Sequence, residues 1–493
     1  MLTNAIKNGL SRAGTATTTT QHTPIPSPPG VPGLGNIDAI DSDLPIKSLH
    51  ELAQKYGAIY ELNVMGNKMI VINSRDLLNE VSDETRFYKK IAANSNQLRN
   101  AAGDGLFTAR APEEKNWGIA HRLLMPIFTP GSVCNIADDM LDIVSQLVLK
   151  WERFGAKAVI DTAEDLSRVT LDTICLTAMG YRLNSFYRED LHPLAVAMAD
   201  FLLVSTKRGS RPPAVQATLV AENAKYEADQ KIMFQMAEEI MNERRANPTD
   251  RQDVLGLMMY GKDKETGLSL PDKTVQYNLL TFLIAGHETT SGMLVFAIYY
   301  LLKNPDTMRK LRDEIDSVMG QRPFTTADMN TMPYLIAVMR ETLRLAPTAP
   351  ARTVAPFEDT IIGGKYFVEK DASITVDTFD CQRDREVWGD DAAEFKPERM
   401  LDGKFEALPS NAWQAFGFGM RACIGGAFAW QEAQIALVTI FQHFDLVMND
   451  PTYELQMKQT LSIKPKDFFI RAIPRKNSPH QFVPQSINVS KKA

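Results

Sequence analysis

The sequence predicts a mainly α protein with minor β structure, organised around a single domain. Three observations carry that prediction. From about residue 112 to 320 the apolar side chains keep helical spacing almost throughout; in DDMLDIVSQLVLKWERF (138–154) they recur three and four apart. β character is confined to GAIYELNVMGNKMIVIN (57–73), two alternating runs around Gly66-Asn67 that signal a hairpin, and to DTIIGGKYFVEKDASITV (359–376). No repeat and no linker interrupts residues 40 to 475, so the domain is expected to span 37–475, between a tail at 1–36 and a linker-like segment at 476–493.

Composition sets the class. The 493 residues are 44% hydrophobic and 23% charged, as in ordinary globular proteins. A net charge of −6 leaves no dominant basic face and argues against nucleic acid as a partner. Cys134, Cys175, Cys381 and Cys423 are far apart, which fits neither a disulfide framework nor a zinc site and points to a reducing, cytoplasmic setting. Residues 1–23 lack Asp and Glu, carry Lys7 and Arg12, and have no apolar run long enough to anchor in a membrane. A disordered threonine-rich tail is expected there, with a mitochondrial leader as the alternative. The five prolines of TPIPSPPGVPGLGN (23–36) should hold an extended path along the surface.

One helix stands apart. The run from Pro271 to Asn304, with Pro305 following, is on the order of 50 Å long at the helical rise. A bilayer reading is disfavoured by His287, Glu288, Thr289 and Thr290 at its middle, because a central carboxylate costs roughly 2.5–3.5 kcal/mol there. A buried helix with a polar interruption facing a cavity is expected instead. Gly286 should leave room for something bulky to approach, and the threonines can bond back to the backbone.

The segment FGFGMRACIGGAF (416–428) isolates a single thiol. Cys423 taken alone is a small buried hydrophobe. Here Gly419 and Gly425 free the backbone to wrap the sulfur, Arg421 supplies a cation, and an apolar helix begins at Gly426. A thiolate beside a helix N-terminus is favoured by unpaired amides and the dipole. No cysteine-hydrolase signature is present, which leaves a metal ligand, and a single axial thiolate on haem iron fits.

Phe416-x-x-Gly419-x-Arg421-x-Cys423-x-Gly425 resembles the haem-binding loop of the cytochrome P450 family. Three further motifs agree in order: Ala285-Gly286-x-Glu288-Thr289-Thr290 on the long helix, Glu341-x-x-Arg344, and Pro397-Glu398-Arg399-Met400. The resemblance implies the P450 fold, a long central helix over haem b and a thiolate loop on the opposite face. It further implies an O2-dependent monooxygenase drawing NADPH-derived electrons through a flavin reductase. Cys423 would bind iron, and Phe416 would pack on the thiolate side. Trp117 and His121, one helical turn apart, would bind propionate with Arg421 and Lys89. Thr289 and Glu288 would deliver protons, with a back-bonded helix threonine as the plain alternative for Thr289. Glu341, Arg344 and Arg399 would be structural.

AGDGLFT (102–108), EKNW (114–117), KWERF (150–154) and LRLAPTAPA (343–351) resemble, more narrowly, the fatty-acid hydroxylases of bacteria and fungi whose haem domain is fused to a reductase. That likeness places Phe107, Leu106, Ala285 and Ala349 in an apolar substrate pocket. The chain departs from the bacterial branch at Asn67 and Val71, where relatives carry an Arg and a Tyr for the fatty-acid carboxylate, and at Arg352, which stands for an aromatic residue and would bind a propionate or an acidic substrate. A polyketide or other secondary metabolite is therefore an alternative substrate, and a haem-thiolate isomerase or haem carrier an alternative class. Lys115 and Arg122 are candidates for a reductase-docking surface.

Overall fold

The computed structural model describes residues 22–64, 66–91, 93–110 and 114–476. The expectations for residues 1–21 and 477–493 lie outside the described residues. The proline-rich entry is mostly exposed, and it departs from the expected extended path where Val31–Gly35 folds into a tight turn. It is tied down by backbone bonds, from Thr23 N to Lys365 O (3.1 Å) and from Glu61 N to Pro26 O (2.8 Å).

As predicted, helices dominate. The helix over 138–154 runs Ala137–Phe154 and buries Met140, Val144, Leu147, Val148 and Trp151 along one stripe. The long central helix runs Asp272–Lys303, 32 residues, with Pro271 preceding it. It is the one described helix long and apolar enough to cross a membrane, but 83% of its most apolar window is buried inside the protein. Helix Thr162–Met179 packs along it, starting from an Asp161 side chain that accepts the Glu164 amide. Helices Pro333–Leu345 and Gly426–His443 complete the centre of the largest hydrophobic cluster.

The hairpin signal at Gly66-Asn67 corresponds to strands Ile59–Val64 and Asn67–Ile72, paired antiparallel with Ile59 opposite Ile72. They join a five-stranded sheet in the order Ile59–Val64, Asn67–Ile72, Ile374–Asp377, Ala351–Pro356, Phe87–Lys89. Only the pair of Asn67–Ile72 with Ile374–Asp377 is parallel. Ile59, Ile70, Ile72, Val354, Ile374 and Val376 form the second core beneath it. Lys89 lies at the end of the edge strand, opposite Val354, and Arg352 pairs with Val376 on the neighbouring strand. A short antiparallel hairpin, Met457–Gln459 and Ile463–Pro465, lies against the central helix.

Helix Pro45–Tyr56 is fastened by a titratable contact to the short helix Thr378–Cys381, which follows strand Ile374–Asp377. His50 Nδ1 lies 2.6 Å from Asp380 Oδ1, and that hydrogen bond is the main reason the imidazole pKa is raised. A raised histidine pKa contributes stability that is complete below the unfolded value of about 6.5 and is lost as pH rises through the folded value. The difference in melting temperature between wild type and His50→Ala is thus expected to be largest in the acid range and to close above that window. Thermal unfolding followed across pH checks it; a difference that grows toward alkaline pH contradicts it.

Candidate active site

The thiolate loop is closed by its own backbone. Cys423 N donates to Phe416 O at 2.8 Å, Gly426 N donates to Cys423 O at 3.3 Å, and helix Gly426–His443 follows with Gly425 as its cap. One of the two glycines differs from its expected use. Gly419 has φ +61, and a Cβ there would sit 2.2 Å from the Glu84 carboxylate, which accepts the Met420 amide at 2.9 Å. Gly419 is therefore fixed by a turn against Glu84. Gly425 has φ −84 and needs no left-handed freedom; a Cβ there would sit 3.9 Å from the sulfur, and its amide bonds to the thiol as expected. Phe416 packs edge-on against Trp430 and tilted against Trp413.

Cys423 is open to space, yet it lies deep enough that burial raises its thiol pKa, with the Gly425 amide and Lys89 acting against the rise. An internal slot accounts for both facts. Ala285 is exposed although Phe282, Leu283, Ile284, His287 and Glu288 around it on the central helix are buried. Ala349 is exposed although residues 341–348 are all buried. Thr289, one turn after Ala285 and on the same face, is half-buried. A methyl group in the middle of a core helix is exposed only where a void faces it.

Cations border the same region without counter-charges. Trp117 and His121 stack at 4.8 Å, and the Arg421 guanidinium lies 4.8 Å from the Trp117 ring. Arg421 donates to Leu106 O and Ala109 O. Lys89 Nζ donates to Phe107 O at 2.7 Å and sits 4.3 Å from the centre of that ring. Leu106 N in turn donates to Asn278 Oδ1 of the central helix at 2.9 Å. Burial pushes Lys89 down to about 7 and Arg421 and Arg352 to about 10, and it lowers His121; no carboxylate offsets any of the four. Buried cations without anionic partners are costly, and an anionic ligand removes that cost. Two propionates are such anions, so the residues present fit a haem.

Several expectations are corrected. The cation that acts on Cys423 is Lys89, because Arg421 is drawn off to the carbonyls of Leu106 and Ala109. A Cβ on Gly286 would meet Ile174 at 3.1 Å, so that glycine serves the approach of helix Thr162–Met179, not of a ligand. Arg352 lies over the Phe418 ring of the thiolate loop and donates to Gln414 and Thr378, which sets it beside that loop. Thr289 Oγ1 donates to Ala285 O at 2.7 Å, the back-bonded arrangement. The Glu288 carboxylate is turned toward the C-terminal hairpin and not to Thr289: Oε2 accepts from Thr460 (2.7 Å) and Ser462 (3.0 Å). Arg122, expected at a docking surface, is held by Asp263 through two hydrogen bonds, while Lys115 is exposed.

The structural trio assembles, with Glu341 and Arg344 fully buried and Arg399 partly so. Arg344 donates to both Glu341 oxygens, at 2.7 and 2.9 Å, and neither side chain has exposed surface. Arg399 Nε lies 3.4 Å from Glu341 Oε1. Glu432 was missed: it is a fully buried carboxyl on the helix after Cys423, its pKa raised far by burial and lowered in part by Thr173 and Thr290. A lone carboxylate inside AFAWQEAQIALVTIF was its visible signal. Thr460, Ser462 and Lys464 carried no signal, because more than a hundred residues separate them from Glu288.

A cysteine facing a slot in the protein interior, a long helix across it and a border of unpaired cations define a haem-thiolate protein. The model of the family described as Cytochrome P450 matches residues 25–472, and the chain belongs to the cytochrome P450 family. It is 56% identical over 456 residues to a self-sufficient cytochrome P450 monooxygenase of Phanerodontia chrysosporium, covering 92% of this chain and 43% of that protein. It is 48% identical over 459 residues to a bifunctional cytochrome P450/NADPH--P450 reductase of Aspergillus oryzae, covering 92% and 42%. A bifunctional protein of the same description from Acremonium egyptiacum is 46% identical over 457 residues, covering 91% and 43%. The chain spans less than half the length of these curated relatives.

Proposed function

We propose that this chain is the haem-bearing part of a monooxygenase that inserts one oxygen atom from O2 into an apolar, fatty-acid-like substrate. Electrons come from NADPH through a flavin reductase, and the setting is cytoplasmic. The carrying observation is that Ala285 and Thr289 keep open surface in the middle of a buried helix while Cys423, on the loop before helix Gly426–His443, is also open to space. The relatives described as self-sufficient or bifunctional support a reductase partner, fused or separate. The bound haem supplies an iron centre that activates O2, and a thiolate ligand favours O–O cleavage.

The chain's own residues prepare that site. Cys423 is the metal ligand, steadied by the Gly425 amide, and Phe416 packs with Trp413 and Trp430 at the start of the loop. Trp117, His121, Arg421 and Lys89 hold the anionic edge of the cofactor, with Arg352 beside the loop. Phe107, Leu106, Ala285 and Ala349 leave an apolar space in which a substrate orients by shape. Thr289 holds a hydroxyl at the slot, ready to pass a proton once its bond to Ala285 O is broken.

One observation favours a second substrate class. Asn67 is neutral, Val71 is fully buried, and Lys68 faces Glu61 at 3.9 Å, so the hairpin offers no free cation to a carboxylate. A polyketide or another secondary metabolite without that handle fits equally well. The test mixes haem-loaded protein, a flavin reductase, NADPH and a panel of fatty acids and aromatic polyketides. Oxygenated product from a panel member is expected; NADPH consumption with none from any of them overturns the monooxygenase assignment.

A further inference from the structure

The acid beside Thr289 is gripped from the side opposite to its expected work. Glu288 is buried, and its Oε2 accepts from Thr460 Oγ1 at 2.7 Å and from Ser462 Oγ at 3.0 Å. Lys464 Nζ lies 3.9 Å from Oε1. All three partners belong to one hairpin, Met457–Gln459 and Ile463–Pro465, or to its tip. The hairpin rests directly on the central helix: a Cβ on Gly292 would lie 3.0 Å from Ile463 O and 3.3 Å from Lys464 Cγ. Ile463 N donates to Thr348 O at 3.0 Å, which joins the hairpin to the segment carrying Ala349.

The electrostatics agree with that geometry. Burial alone would raise the Glu288 pKa; Lys464, with the Thr460 and Ser462 hydroxyls, opposes that rise, and the group lies below the usual carboxylate range. His287, on the same helix, is pushed down to about 3 by burial and then Lys464, so it is neutral. Lys464 is itself buried and lowered, and from helix Thr162–Met179 only the Ser167 hydroxyl, at 3.3 Å, meets it. Lys464 is thus the one charged group that faces the acid from a neighbouring element among the described residues.

We propose that this hairpin is a holder for Glu288: Thr460, Ser462 and Lys464 keep the carboxylate charged and turned off the slot, and proton supply to Thr289 waits on its release. The inference rests on the monooxygenase assignment above. One proton moves per passage. A proton from bulk solvent, relayed by water on the hairpin side, protonates Glu288; the freed carboxylic acid gives that proton to Thr289 Oγ1 as Thr289 gives its own to an acceptor in the slot. Both side chains return to their starting states, and nothing is oxidised or reduced. Thr460, Ser462 and Lys464 are positioning residues, since none of them touches the slot acceptor.

Two measurements on the full chain with haem bound test this. The first needs no turnover: the infrared carboxyl band of Glu288, assigned by its loss in Glu288→Gln, is followed across pH. In Thr460→Val/Ser462→Ala its midpoint is expected to rise by a pH unit or more, a tenfold gain in proton affinity. In Thr460→Ser, which keeps the hydroxyl, it stays near wild type. The second is the solvent deuterium isotope effect on product formation, expected to fall in the double variant and return in Thr460→Ser. Ser462→Ala alone serves where the double variant does not fold. A midpoint unmoved in the valine and alanine variants overturns the holder, and a moved midpoint with an unchanged isotope effect overturns the gating. Absence of any product from wild type, with the infrared shift intact, strikes the monooxygenase assignment and leaves the holder standing.

Discussion

Cys423→Ser is expected to abolish the far red-shifted Soret band of the reduced, carbon monoxide-bound protein and to take product formation with it. The loss should exceed the roughly 10–100-fold effect of removing a group that merely supports a metal ligand, because the ligand itself is gone. The surroundings of the sulfur give the reason. The loop from Phe416 to Gly426 is held by backbone bonds that do not involve the side chain, so a serine leaves the slot intact while changing its donor atom. Lys89, the cation that acts on Cys423, stays in place through Phe107 O and the Phe107 ring. Absorption spectra of the reduced protein with carbon monoxide, beside far-ultraviolet circular dichroism, separate loss of the ligand from loss of the fold. A serine variant that keeps the wild-type band and full turnover contradicts the assignment of Cys423.

The second large effect is structural. Arg344→Leu is expected to cost about 3–5 kcal/mol, the typical penalty for leaving one member of a buried ion pair uncompensated. Glu341 would keep only Arg399, 3.4 Å away, and the Lys396 amide at 2.9 Å. The carbonyls of Gln382, Ala392 and Glu394 would lose their donor together. Arg344→Lys is not expected to rescue, since one ammonium cannot replace a planar fork that serves a carboxylate and three carbonyls at once. Denaturant unfolding of the haem-loaded variants reads the cost. Arg344→Lys unfolding at the wild-type midpoint, or Arg344→Leu costing less than about 1 kcal/mol, the usual worth of an exposed pair, contradicts the structural role.

These two sites differ in how far the sequence alone could carry them. The Glu341–Arg344 pair was legible because three residues of helix place both side chains on one face, a local fact. Cys423 was legible because its glycines, its arginine and the following helix are contiguous. The purposes of those neighbours were not. Gly419 answers to Glu84, more than three hundred residues earlier, and Arg421 answers to carbonyls at 106 and 109. Lys89 reaches the sulfur's vicinity only because its strand pairs with Ala351–Pro356 at the sheet edge. The direction of the Glu288 carboxylate was equally hidden, since its three partners come from a hairpin near the end of the domain.

By itself the sequence determined the elements whose causes are local: the long apolar helix with its polar interruption, the hairpin at Gly66-Asn67, the thiolate loop and the helical ion pair. Each follows from side-chain period, turn chemistry or spacing within one or two helical turns. The tertiary structure alone decided which charges meet: Lys89 with Cys423, Arg352 with Phe418 and Gln414, and Glu288 with Thr460, Ser462 and Lys464. The physical reason is that the cost of a buried charge is settled by whatever polar groups packing brings within a few ångströms, and chain distance says nothing about that.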